Sequence, residues 1–300
     1  MFEKSHPANC LGHAVMATIG VADIDGAEAA YREFLGYERV SDAPMSPEYA
    51  ALWDDENLDG RSARLLRPKS RAPVFIRLVQ TDAVEQHGVR AGFSRWFAIE
   101  LCVQDSAKLY EQLLKSDYFK PFAPPAALSF SDKIFPFQCR GENGEILYLN
   151  ETRGNLLDVD LPIAASFVDH IFIVILSASA LENSTEFYQD LLKMDLQESH
   201  EFLYKTINRV FDLPLQTMHK LNTVGINRNV FFEIDQTPGN AGQAANADGI
   251  HQGICCVSFR VAAGQGSGAA FTQCQDAPYH GAHIAQTRGP DGERIELVVV

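Results

Sequence analysis

Two glutamates stand in sequences that would bury them. Glu233 lies in Phe231-Phe232-Glu233-Ile234-Asp235, and Glu296 lies in Arg294-Ile295-Glu296-Leu297. A carboxylate between apolar neighbours in a strand is costly to bury without a partner. A bound divalent metal would offset that cost. So would a solvent-facing orientation, or pairing with Arg260 or Arg294, and the residues alone leave these alternatives open. His170, in Val168-Asp169-His170-Ile171, is also of ligand type. So are His251 and Cys256, but they are five positions apart. An odd separation keeps them from facing the same side of one regular strand. Tyr279, His280 and His283 add groups suited to acid–base work. A metal with open positions could polarise a carbonyl or stabilise an enediolate while a carboxylate moves a proton.

The elements that must position these residues appear as a repeat. Leu11-Gly12-His13-Ala14-Val15-Met16-Ala17-Thr18-Ile19 leads to Tyr31, Phe34 and Leu35. Val168-Asp169-His170-Ile171-Phe172-Ile173-Val174-Ile175 leads to Tyr188, Leu191 and Leu192, a constant 157 positions later. Each copy opens with a β-rich apolar run, a strand, followed by apolar residues at helical spacing. Asp23, Asp25 and Glu182 lie in or near the first helical turns, as the helix dipole favours. Strand-rich segments follow, Pro73–Val79 in one copy and Asn229–Asp235 in the other, 156 positions apart. A second type of unit starts at Trp96–Val103 and ends in Gly141-Glu142-Asn143-Gly144-Glu145-Ile146-Leu147-Tyr148-Leu149. Its counterpart starts at Gly253–Val261 and ends in Gly289-Pro290-Asp291-Gly292-Glu293-Arg294-Ile295-Glu296-Leu297. Asn-Gly and Asp-Gly mark tight turns before the last strands. The chain therefore reads as four strand–helix–strands units, A-B-A′-B′. Gly264, Gly266 and Gly268 weaken the helix of the last unit. The Gly- and Ala-rich stretch 236–249 reads as a mobile loop.

The 300 residues carry 39 acidic and 25 basic side chains, a formal charge of −14. This composition suits globular cores and argues against a nucleic-acid or anionic-membrane surface. The polar start, Met1 to Pro7, and the lack of a long apolar run make a cytoplasmic location the expectation. The six cysteines form no C-x-x-C pair and read as small buried residues.

The Asp-His-apolar strand, the helix around Phe-Tyr and Leu-Leu, and the Gly-Pro-Asp-Gly-Glu-Arg-Ile-Glu-Leu ending resemble the vicinal oxygen chelate superfamily. That group includes glyoxalase I, bleomycin-resistance proteins and extradiol dioxygenases. The resemblance implies an α+β chain of four βαβββ modules paired into two glyoxalase/bleomycin-resistance/dioxygenase-type domains. The expected boundaries are 1–157 for an N-terminal, metal-free pair and 163–300 for a C-terminal pair with the metal site. It implies one divalent ion (Fe, Mn, Ni, Zn or Mg) with ligands on the first and last strands of paired units. His170, Glu233, Glu296 and His251 are the expected ligands, with Cys256 the alternative to His251. A gapless count back from the helix would put Ile173 where His170 is expected. Arg77, Tyr148 and Ala98 occupy the matching places of the first half. Glu233 and His283 are the expected catalytic groups, and Arg77, Phe172 and Phe259 the substrate-binding ones. The implied activity is glyoxalase-like lyase or isomerase chemistry on a small oxygenated substrate. The alternatives are extradiol ring cleavage, for which Gln286 replaces the usual Tyr, and a metal-free binding protein. The expected partner is a small molecule, not nucleic acid or membrane, with a homodimer left open.

Overall fold

The computed structural model describes residues 9–82, 95–128, 131–210, 213–236, 249–266 and 268–299. The first unit runs β1 (Ala14–Val21), α1 (Ile24–Phe34), β2 (Glu38–Ser41), α2 (Pro47–Trp53), β3 (Ala63–Arg67) and β4 (Phe75–Gln80). The second runs β5 (Arg95–Val103), α3 (Ser106–Leu113), β6 (Lys120–Pro121), β7 (Ile134–Arg140) and β8 (Ile146–Thr152). The third repeats the first with β9 (Val168–Ser177), α4 (Leu181–Leu192), β10 (Asp195–Leu203), α5 (Lys205–Val210), β11 (Met218–Ile226) and β12 (Asn229–Gln236). The fourth has β13 (Gly253–Val261), β14 (Thr272–Gln273), β15 (His283–Arg288) and β16 (Arg294–Val299). No helix occurs among its described residues. Gly264, Gly266 and Gly268 all have positive φ there, which a helix cannot use. Most of the stretch read as a mobile loop, 237–248, lies outside the described residues.

Two of the helices start at capping aspartates. The Asp23 carboxylate accepts from the backbone N–H groups of Asp25 and Gly26 at the head of α1, and Asp105 accepts from Lys108 at the head of α3. Tyr31 and Tyr188 are fully buried, one on each copy's helix. Each clasps the turn glutamate of the following unit. Tyr31 donates to Glu145 at 3.3 Å, and Tyr188 donates to Glu293 at 2.6 Å. This shared bond explains the repeated tyrosine.

Sheet pairing corrects the expected boundaries. One eight-stranded sheet has the order β14-β15-β16-β13-β1-β4-β3-β2, so it joins the first unit to the fourth. The other has the order β10-β11-β12-β9-β5-β8-β7-β6 and joins the second unit to the third. The seams are antiparallel pairings of first strands, β1 with β13 and β5 with β9. The segment between 157 and 163 therefore connects β8 and β9 of a single sheet and does not separate two domains. Either even-numbered unit could cover the edge of an odd-numbered one, so the repeat alone cannot choose between them.

Strand alternation gives each sheet two faces. Ile99, Leu101, Leu147, Leu149, Val174 and Phe232 join residues of the other sheet and of α1 and α4 in the main core. The opposite face of each sheet forms a cup. Helix α2 fills the first cup with Tyr49 and Trp53. The equivalent α5 contributes Ile207 to the second. No helix among the described residues is long and apolar enough to cross a membrane.

Candidate functional site

Register identifies the equivalent places in the two cups. In the first, Thr18 on β1 is paired with Arg77 on β4, and Ser258 on β13 with Glu296 on β16. In the second, Ile175 on β9 is paired with Glu233 on β12, and Glu100 on β5 with Tyr148 on β8. Each cup thus draws on both halves of the chain. The division into a metal-free first half and a metal-bearing second half does not hold.

The first cup is closed around one ion pair. Arg77 and Glu296, both buried, approach to 3.5 Å. Trp53 Nε1 donates to Glu296 Oε1 at 3.0 Å, and Ser258 Oγ donates to Oε2 at 2.6 Å. The Tyr49 and Tyr279 hydroxyls also donate to this carboxylate. Arg77 donates to Thr18 Oγ1 at 2.8 Å and to the Tyr49 hydroxyl, and its guanidinium lies 4.3 Å from the Tyr49 ring centroid. Burial pushes the Glu296 carboxyl up; the donors and the cation oppose that. Both expected roles change here. Glu296 is not available as a metal ligand, because protein donors surround it. Arg77 holds an anion, but that anion is Glu296 and not a substrate.

The second cup is acidic, and among the described residues no Arg stands where Arg77 stands in the first. Glu100 accepts from Asn150 Nδ2 at 2.5 Å. Burial, then the charge of Glu233, pushes its carboxyl well up. Burial holds Glu233 at about 7, against an ordinary value of 4.5. Asp235, two residues on and on the same face, is also pushed well up by burial and by Glu233. The charges acting on these three acids are one another and the His200 imidazole. Among the described residues, no Lys or Arg pairs with any of them. Asp235 Oδ1 and Asn150 Oδ1 are buried without a hydrogen-bond partner, and such unmet polar atoms are rare in folded chains; the Tyr148 hydroxyl lies against that of Tyr204. Phe97, Ala98, Ile146, Ile175 and Ile207 supply apolar walls. Glu233, Ile173, Tyr204 and Phe122 are only half-buried, so this cup has a rim that solvent reaches. Gln138 positions the Tyr204 hydroxyl at 2.8 Å.

The remaining expected residues lie elsewhere. His170 is at the start of β9, five positions before Ile175; its Nδ1 is 3.3 Å from Asp169 Oδ1 and 3.7 Å from Cys102 Sγ. The face of β9 that meets the second cup is formed by Ile173 and Ile175. His251 precedes β13, and neither ring nitrogen has a hydrogen-bond partner. Burial, then Arg95, lowers it to about 4, with Arg294 adding to the effect; two nearby cations disfavour a third. Cys256 is packed among apolar residues of the first cup, and burial pushes its thiol up to about 12. His283 is exposed, on β15 opposite Gln273. Phe259 belongs to the main core, its ring 5.8 Å from Phe232 and 5.9 Å from Trp96. Phe172 packs beside Cys102 and Ala164. Glu233 alone of the expected ligands lies in the acidic cup. Glu100 and Asp235 are its unexpected partners, and the signal for both was spacing. Glu100 is two residues beyond Ala98, and Asp235 two beyond Glu233, each on the same strand face.

No protein-family model and no curated protein sequence matches the chain. Solved structures do. Glyoxalase I from Zea mays is similar over 96% of this chain and 92% of that one, at 16% identity and a TM-score of 0.61. A putative dioxygenase from Bacillus subtilis subsp. subtilis str. 168 is similar over 97% of this chain and 86% of that one, at 11% identity and a TM-score of 0.59.

Proposed function

We propose, for a chain that has the vicinal oxygen chelate fold in its two-domain form of four units, that it is a metal-dependent enzyme whose working site is the acidic cup of the middle units. The observation that carries this reading is the gathering of Glu100, Glu233 and Asp235 in one cup without a pairing Lys or Arg among the described residues. The donor set fits a hard divalent ion. Glu233 and Glu100 occupy two of the cup's four equivalent places, and the unmet oxygens of Asp235 and Asn150 lie in the same cup. Carboxylate and amide oxygens favour Mg²⁺ or Mn²⁺ over softer ions. Glu233 and Glu100 would hold the ion, with Asp235 beside them. When bound, such an ion polarises a substrate oxygen.

The chain's own residues supply the rest. Glu233 sits at about 7 in the metal-free chain; holding the ion would keep it ionised, ready to take a proton from carbon beside a carbonyl and return it. Asp235 stays protonated and donates to Glu233, which holds that carboxylate in place. Tyr148, beside Tyr204, offers a buried hydroxyl to a substrate oxygen. Phe97, Ile175 and Ile207 exclude water. This is lyase or isomerase chemistry on a small oxygenated substrate. The ring-cleaving reading is less favoured, because two imidazoles and a carboxylate are the usual iron set and none of the cup's four places holds a histidine. A metal-free binding protein has one observation in its favour, the protonated Asp235, which could donate to a polar ligand.

Manganese titration of purified protein, followed by a screen against hemithioacetals, α-hydroxycarbonyl compounds and, anaerobically, catechols, tests the proposal. The expected result is manganese-dependent turnover that Glu233→Gln abolishes. Manganese binding that is unchanged in Glu233→Gln and Glu100→Gln would refute it.

A further inference from the structure

Asp169 and His170, at the start of β9, take part in a second cluster. Cys102, Asp169 and His170 are all buried, and their donor atoms lie within 4.8 Å of one another. A bulge creates this arrangement. Across the β5–β9 seam, Leu101 is opposite Ile171 and Val103 is opposite Val168. One residue on β5, Cys102, therefore faces two on β9, Asp169 and His170. In a regular strand those two neighbours would face opposite ways; here the extra residue lets both reach Cys102.

We infer that Cys102, Asp169 and His170 form a binding site for a thiophilic divalent cation, zinc by its donor set, separate from the acidic cup. Zinc bonds of about 2.3 Å to sulfur and about 2.0 Å to nitrogen or oxygen give tetrahedral edges of about 3.5 Å and about 3.3 Å. The observed edges are 3.7 Å from Cys102 Sγ to His170 Nδ1 and 3.3 Å from His170 Nδ1 to Asp169 Oδ1. The carboxylate is already oriented, as outer partners of metal ligands usually do: Ser70 Oγ donates to Oδ1 at 2.5 Å and the Ala165 N–H to Oδ2 at 2.6 Å. A nucleophilic triad is a poorer account. Asp169 and Cys102 both approach the same ring nitrogen, so the imidazole cannot relay a proton between them. Burial and the Asp169 charge also raise the thiol, where an active nucleophile needs it lowered. Binding would take the proton from the thiol and leave three protein donors and one corner for another ligand. A further imidazole, His13, has its ring centroid 6.1 Å from that of His170. The ion would join the second unit to the third, and through Ser70 to the first.

The test uses full-length protein expressed with zinc or with cobalt in the medium, because a buried site loads as the chain folds. The cobalt form should show an intense near-ultraviolet thiolate-to-metal absorption. Cys102→Ala should abolish it, and Glu233→Gln should leave it intact. Zinc-edge X-ray absorption of the unsubstituted protein should show one sulfur among nitrogen and oxygen neighbours, which covers the case where Cys102→Ala does not fold. Absence of the band, its survival in Cys102→Ala, or a zinc shell without sulfur would each overturn the site. The readout is independent of turnover, so it can fail while the acidic-cup reading stands.

Discussion

The two cups have the same strands in the same register and opposite electrostatics. The first holds one carboxylate, Glu296, and answers it with Arg77 and four neutral donors. The second holds Glu100, Glu233 and Asp235, whose carboxyls burial and one another push up. Arg77 and Glu233 occupy equivalent places. The exchange of sign at that place, with Glu100 standing where the first cup has Ser258, separates a packed, self-satisfied cup from an acidic one. Helix α2 adds to the contrast by placing Tyr49 and Trp53 over Glu296, where α5 places the smaller Ile207.

The largest expected effect comes from breaking the closed cup. Arg77→Met or Glu296→Leu alone should cost about 3–5 kcal/mol in urea unfolding, because each leaves a buried charge unpaired. The double variant should recover most of that loss, and neither should affect metal binding by the acidic cup. Glu233→Gln should do the reverse. Turnover should fall by about 10²-fold or more, while metal-free stability above pH 7 should rise by about 1–2 kcal/mol, the partly exposed position trimming the full linkage value.

The pH dependence follows from the same groups. Glu233, and the turn glutamates Glu145 and Glu293, each sit at about 7 through burial, against 4.5 ordinarily. Between those values the folded chain retains protons that the unfolded chain has released. Metal-free stability should therefore fall as pH rises from 4.5 to about 7, and go on falling above it because Glu100, Asp235 and Glu296 are pushed well up too. Chemical denaturation across that range checks the slope. Glu233→Gln should remove the contribution of one group, and saturating Mn²⁺ should do the same in the unsubstituted protein. The smallest test exchanges one hydroxyl in each cup. Tyr49→Phe should cost about 1–3 kcal/mol, since it removes a donor from a carboxylate. Tyr148→Phe should cost less, about 1 kcal/mol or below in the metal-free protein, because its hydroxyl meets only the neutral Tyr204 hydroxyl.

Much of this architecture was legible in the chain. The His13/His170 and Tyr31/Tyr188 correspondence reveals the units, and the Asn143-Gly144 and Asp291-Gly292 turns locate their last strands. The equivalence of Arg77 with Glu233, and of Tyr148 with Glu296, follows from the repeat. What the repeat does not contain is which unit joins which, because β1 and β9 each need an edge partner and two are on offer. That choice moved Glu296 and Glu233 into different sheets. His170 failed for a local reason. It lies too far up β9, beyond a bulge, and the cup meets Ile173 and Ile175 instead. Glu100 is readable from the alternation Ala98, Glu100, Cys102 against Ile99 and Leu101, one step along the strand face from Ala98.

The tyrosine–glutamate clasps join the first unit to the second and the third to the fourth, whereas the sheets join the first to the fourth and the second to the third. The four units form a closed ring in which the halves have exchanged arms. Two identical half-length chains could make the same ring as a symmetric dimer, and every substitution in one cup would then appear in the other. The peptide link from β8 to β9 removes that symmetry. It leaves each cup free to be altered alone, so one could become an internal brace while the other kept its unmet acids for a ligand.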